Sequence, residues 1–150
     1  MYTQIHIHFI FAVKYRRSLI HPSWEKRLYQ YITGIFRKNG HKMLQINSMP
    51  DHIHILVGFR PNQSMSAVIQ NIKAETTKWI NNNEFCSTKF AWQEGFGAFS
   101  YSKSHLPNVI NYIINQEKHH KKLSFKEEYR LFLENFDIEY DERYLFQEPQ

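Results

Sequence analysis

The sequence predicts an α+β chain of ferredoxin-like, RRM-like order, βαββαβ. Helices cover one face of an antiparallel four-stranded sheet, and added helices follow at the C-terminal end. Three observations carry this prediction. Apolar, β-branched or aromatic runs fall at 2–14, 41–49, 52–59 and 91–102. Segments with helical spacing separate the first run from the second and the third from the fourth. From Leu106 onward the pattern is helical with short breaks.

Tyr2 to Lys14 is rich in Ile, Phe and Val and reads as the first strand. "HPSWEKRLYQYITGIFRKNG" follows as a helix with Ser23 as its candidate cap. Trp24, Leu28, Tyr31 and Ile35 share a face before Asn39-Gly40 stops it. "HKMLQINSM" is a short strand, "PD" a turn, and "HIHILVGF" the strand at the centre of the sheet. Asn62 to Ser64 opens the second helix, with Val68, Ile72 and Trp79 broadly on one side, and "EFCSTKF" is a loop. "AWQEGFGAFSYS" is the fourth strand, with Gly95 and Gly97 as bend points. "LPNVINYIINQEKHHKK" carries an early proline and reads as one helix, and "SFKEEYRLFLENF" as another. An acidic, aromatic tail follows. One domain over 1–150 is expected, because no Gly/Ser/Pro tract divides the chain. The sheet face away from the first two helices is expected to stay open for a ligand or partner.

Composition narrows the function classes. The 150 residues carry a formal charge of +5, which suits a polyanionic partner, and aromatics make up 16%. A single cysteine, Cys86, excludes an intrachain disulfide and a cysteine-built zinc cluster, and fits a reducing cytoplasm. There is no signal-peptide pattern and no apolar run of membrane-spanning length, so a cytoplasmic protein is expected.

"PDHIHILVGF" is the most informative stretch. On a strand, His52 and His54 point the same way, roughly 6–7 Å apart, while Ile53, Ile55 and Val57 point to the other face. Two imidazoles so placed can converge on one divalent cation, with Asp51 steering one of them. The plainer reading is two polar residues on a solvated face. The earlier "HIH" is indistinguishable by periodicity: His6 and His8 share a face opposite Ile5, Ile7 and Phe9, and are read as structural or supporting. Downstream, Tyr112 and Gln116 are spaced i, i+4. The Gln116 amide oxygen is a candidate third ligand, with His120 as its substitute, and open positions on such an ion would suit phosphate oxygens. The Tyr112 phenol could then stand beside the phosphorus as a nucleophile. With nine tyrosines in the chain, an ordinary packed aromatic is the plainer reading. Lys14, Arg16 and Arg17 after the first strand, with Lys118, Lys121 and Lys122, are candidate phosphate contacts, or simply solvated charges.

Taken in order, "HFIFAVKYRR", "MPDHIHILVGF", "WQEGFGAFSYS", "VINYIINQEKHHKKLSFKEEY" and "IEYDERYLF" resemble the HUH single-tyrosine transposases of small single-strand insertion sequences. The resemblance implies a magnesium or manganese ion held by His52, His54 and Gln116, and Tyr112 as the nucleophile. Attack by Tyr112 leaves a 3′-OH and a 5′-phosphotyrosine, and a later 3′-OH rejoins the strands. It also implies single-stranded DNA hairpins at element ends as substrates. The expected assembly is a homodimer in which the tyrosine helix completes its own or its partner's site. Two alternatives remain at this point. One is a non-catalytic module that binds single-stranded nucleic acid through aromatics. The other is a metal-dependent phosphodiesterase that uses water and is indifferent to Tyr112.

Overall fold

The structure, a computed structural model, describes residues 2–120 and 123–136; Lys121, Lys122 and the expected tail lie outside them. Strands β1 (His6–Ala12), β2 (Lys42–Met49), β3 (His52–Gly58) and β4 (Gly97–Ser100) form one sheet in the order β2-β3-β1-β4. Every neighbouring pair is antiparallel. Helices α1 (Glu25–Lys38) and α2 (Met65–Asn82) complete the βαββαβ order, and α3 (Leu106–Ile114), α4 (Gln116–His119) and α5 (Phe125–Asn135) follow. This is the expected architecture, with β3 in the interior of the sheet. Among the described residues no helix is long and apolar enough to cross a membrane.

Alternation along the strands sorts the two faces. Ile7, Phe9, Phe11 and Val13 of β1 and its end, with Ile53, Ile55 and Val57 of β3, pack under Leu28, Ile32 and Phe36 of α1 and Val68, Ile69 and Ile72 of α2. Most of the buried aromatics lie here. The buried seam of α1 runs Trp24, Leu28, Ile32, Phe36 at i+4 spacing, while Tyr31 and Ile35 are half-buried and Tyr31 stacks on Trp79.

The opposite face departs from expectation, because it is closed rather than open. Ile10, Ala12 and Phe99 pack under Phe125, Tyr129 and Leu133 of α5, and Leu56 packs under Val109 and Ile113 of α3. Strand β3 is therefore covered on both sides, and His52 and His54 are fully buried. Two anchors seat the added helices. Asn47 of β2 donates its amide to the Ile113 carbonyl at 2.8 Å, holding the C-terminal end of α3. On β4, a Cβ at Gly97 would lie 2.5 Å from the Tyr129 hydroxyl oxygen, so the glycine makes room for the Tyr129 ring of α5 against that strand.

Three local expectations are corrected. Ser23 does not cap α1: its hydroxyl meets His21 Nδ1 at 2.9 Å, and Trp24 stands at the cap position without a side-chain bond. The fourth strand shrinks to four residues, since Lys73 donates to the Gln93 carbonyl at 2.8 Å and also to that of Gly95, diverting the chain before β4. Only an isolated Val13–Trp92 bridge joins that stretch to β1. Finally, the single helix expected from Leu106 breaks at Asn115 (φ −94°, ψ 22°), whose side-chain amide caps the Asn111 carbonyl at 2.9 Å.

The two serines give opposite expectations for stability. Ser64 accepts from the Ala67 backbone N–H at 3.1 Å at the start of α2. Ser64→Ala should therefore cost about 1 kcal/mol in urea unfolding. Ser23→Ala, which removes no cap, should cost less than half of that; an equal cost would mean Ser23 caps α1 in solution.

Candidate active site

The site forms where the closed face meets the start of β3. His52 and His54 enter from the strand, on the face that alternation predicts. Asp51 accepts from His52 Nδ1 at 2.7 Å, which fixes the ring and aims its Nε2 into the site. Arg16 reaches the other Asp51 oxygen at 3.4 Å and lies over the Phe125 ring. Burial would raise the Asp51 carboxyl, but the His52 hydrogen bond and charge, aided by Arg16, hold it below its ordinary range. Arg16 is thus buried beside the site, at a residue with positive φ (52°), rather than displayed to solvent.

Four further side chains close on the histidines. The break at Asn115 turns Gln116 inward to full burial, with its Oε1 3.4 Å from His52 Nε2. Tyr112, one turn earlier on α3, is half-buried with its ring centroid 6.0 Å from that of His54. His120 follows α4, and its ring lies 4.6 Å from that of His52. The fourth is Glu128 of α5, which sequence reasoning did not single out. Its Oε1 accepts from His54 Nε2 and from His120 Nε2, both at 3.2 Å, and lies 3.7 Å from His52 Nε2. Its Oε2 accepts from Gln116 Nε2 at 3.1 Å and from the Tyr112 hydroxyl. Glu128 had one sequence signal: it sits in the buried seam of α5, between Phe125 and Leu133, whereas its neighbour Glu127 accepts from the Ser124 hydroxyl that caps the helix.

His8 of β1 supports the centre from the next strand, with Nε2 2.8 Å from His54 Nδ1. Since the carboxylate can only accept, His54 carries its proton on Nε2 and takes the His8 N–H at Nδ1. That leaves His8 Nδ1 buried and without a partner. His6, at the other end of the same strand, sits opposite Gly58 and takes no part in the cluster.

The electrostatics follow from burial. Desolvation pushes His54 down to about 4 against the pull of Glu128, and pushes His8 well below its ordinary value. Burial would raise Glu128, yet the hydrogen bonds it accepts from His120 and His54, and the fields of His54 and His52, hold it well below the usual carboxylate range. Burial, then the Glu128 charge and the hydrogen bond to it, push the Tyr112 phenol upward, so its hydroxyl is held as a donor. Imidazoles gathered round a carboxylate suit a divalent cation. His52, His54, His120 and Glu128 each present a ligand atom, all within 4.8 Å of one another, and the Gln116 oxygen lies beside them. His52 Nε2 and Gln116 Oε1 face each other at 3.4 Å, and a cation could sit between them.

Of the basic candidates, Lys14 and Lys118 are exposed and Arg17 is half-exposed; Lys121 lies outside the described residues. Lys14 and Arg17 flank the Tyr15 ring at 5.4 and 5.9 Å.

Comparison with known proteins points one way. The family described as "Transposase IS200 like" matches residues 1–116. The ISDra2 transposase TnpA of Deinococcus radiodurans is 27% identical over 75 residues, which are 50% of this chain and 54% of that one. The match thus spans about half the length of that relative. Among solved structures, a candidate transposase from Deinococcus radiodurans R1 superposes with TM-score 0.63 at 20% identity, over 77% of this chain and 93% of that one. A REP-associated tyrosine transposase bound to a REP hairpin gives TM-score 0.63 at 17% identity, over 82% and 73%. These two likenesses show the fold.

The ion-free protein should lose stability as pH falls below neutrality. Between the ordinary histidine value of 6.5 and about 4, the unfolded chain takes up a proton that folded His54 refuses. His8 acts in the same direction, and below about 4.5 Glu128 adds a second loss as its unfolded counterpart protonates. Urea midpoints in EDTA should fall from pH 7 to 5.5 and further at 4.5; a flat profile from 7 to 5.5 would contradict a neutral, buried His54.

Proposed function

The chain belongs to the IS200-like transposase family, and from that premise we propose that it cleaves and rejoins single-stranded DNA at hairpin-bearing element ends through a 5′-phosphotyrosine link to Tyr112. The observation that carries this reading is the convergence of His52, His54, Gln116 and Tyr112, distant in sequence, around one buried carboxylate. A magnesium or manganese ion held by His52, His54 and Gln116 would draw charge from the scissile phosphate.

The chain's own groups do the rest. Asp51 fixes the His52 ring, so that its Nε2 faces the site. His8 fixes His54, and can accept the proton that His54 Nδ1 donates once Nε2 is engaged as a ligand. The Tyr112 oxygen bonds to phosphorus as the P–O3′ bond breaks; the phenol loses its proton and the departing 3′ oxygen gains one. The phosphotyrosine keeps the bond energy of the cut, so a second 3′-OH can rejoin the strand and release Tyr112 without a nucleotide cofactor. Lys14, Arg17 and Lys118, which reach solvent, would meet phosphates, with Lys121 as a further candidate, whereas Arg16 holds Asp51 at the strand end. The hairpin bound to the solved tyrosine transposase supports a hairpin ligand here. In a homodimer the two tyrosines would serve the two ends of one element, and Tyr112 standing over His54 of its own chain supports use in cis.

The test is a 5′- and 3′-labelled single-stranded hairpin from the gene's flanking DNA, incubated with manganese or magnesium and run on denaturing gels. A covalent adduct on the 5′ end created by the cut should form and fall to background in EDTA and in Tyr112→Phe. Cleavage without adduct that survives Tyr112→Phe would replace this reading with a water-using phosphodiesterase. Binding without cleavage, on hairpins from both flanks, would leave a binding module.

A further inference from the structure

Resting on the metal-assisted reading above, we propose that Glu128 and His120 join the ion's ligands in this chain, and that Glu128 ties the ion to the nucleophile, with Oε1 as ligand and Oε2 holding the Tyr112 hydroxyl. Both residues lie beyond the stretch that matches the family, 1–116.

The spacing is that of a coordination shell. Four donors placed tetrahedrally at about 2.1 Å from an ion stand roughly 3.4 Å apart. Glu128 Oε1 is 3.2 Å from His54 Nε2, 3.2 Å from His120 Nε2 and 3.7 Å from His52 Nε2. Little rearrangement separates these positions from ligation. The second oxygen has a different task, since it accepts from Tyr112 and from Gln116 Nε2. In this arrangement Gln116 orients the carboxylate through its NH2 group, while its Oε1 stays beside His52.

Burial argues in the same direction. Glu128 is 2% exposed, and among the described residues its ion-pair contacts are three histidines and no lysine or arginine. A carboxylate taken out of water costs several kcal/mol unless a charge offsets it. Around it stand only donors, three imidazoles, an amide and a phenol, and a divalent cation would set a full opposing charge against it. Three imidazoles with one carboxylate also select among ions. This donor set suits manganese, iron or zinc, while magnesium prefers an all-oxygen shell that keeps several waters.

The experiment needs no DNA. The full chain, stripped with EDTA, is titrated calorimetrically with Mn2+ and with Mg2+, as are Glu128→Gln, His120→Asn and Gln116→Ala. Wild type should bind Mn2+ at least tenfold tighter than Mg2+, and Glu128→Gln and His120→Asn should each weaken Mn2+ binding by about tenfold or more. X-ray absorption on the Mn2+-loaded wild type should count three imidazoles, and decides the matter if a variant fails to fold. Mn2+ affinity within twofold of wild type in Glu128→Gln, or a shell of two imidazoles, would overturn this inference and leave the His52, His54, Gln116 site standing. Wild type that binds neither ion would take down the metal-assisted reading as well.

Discussion

One buried carboxylate organises this molecule. Glu128 accepts from a strand, from both helices before it and from the residue that ends α4, so it joins β3, α3, α4 and α5 at a single point. The apolar contacts of the added helices are modest beside the core under α1 and α2: a few side chains under α5 and fewer under α3. Apolar packing can bring such helices to the sheet, but it tolerates sliding. Directed hydrogen bonds to a charged group do not, and in a low-dielectric surrounding a satisfied polar network fixes one arrangement. The geometry around Tyr112 is therefore inherited from Glu128.

The same logic separates the two HIH segments, which alternation alone cannot tell apart. His52 and His54 lie at the end of β3 where α4 and α5 cross the sheet, while His8 pairs with Leu56 and reaches His54 sideways. His6, two residues further along β1, lies beyond the cluster. Strand register assigns the roles, with one pair as the centre and a single member of the other as its support.

The strand order, the central position of β3 and the common face of its histidines were legible in the sequence, because period-two patterns are local. The closure of that face was not. The amphipathic pattern of α3 and α5 says that each buries a side without saying against what. Glu128 stands 74 positions from His54, and its only local mark is a charge in an apolar seam. Arg16 likewise read as a phosphate contact because a basic turn is usually solvated, and its inward course depends on a left-handed residue that composition does not announce. Phe9, Phe11, Phe36 and Phe90, by contrast, are all but inaccessible, as apolar aromatics in such runs are expected to be.

Gly97 reacts with nothing and binds nothing, yet α5 rests on its missing side chain. Any larger residue there would displace the Tyr129 ring, which belongs to the helix that carries Glu128. A screen for lost activity would then return a position with no reactive group, on the shortest strand, beside no ligand. Conversely, a survey of related chains by their histidines, glutamine and tyrosine would count such a variant as competent. In this fold the inventory of reactive residues and the capacity to react are separable, and the glycine is where they part.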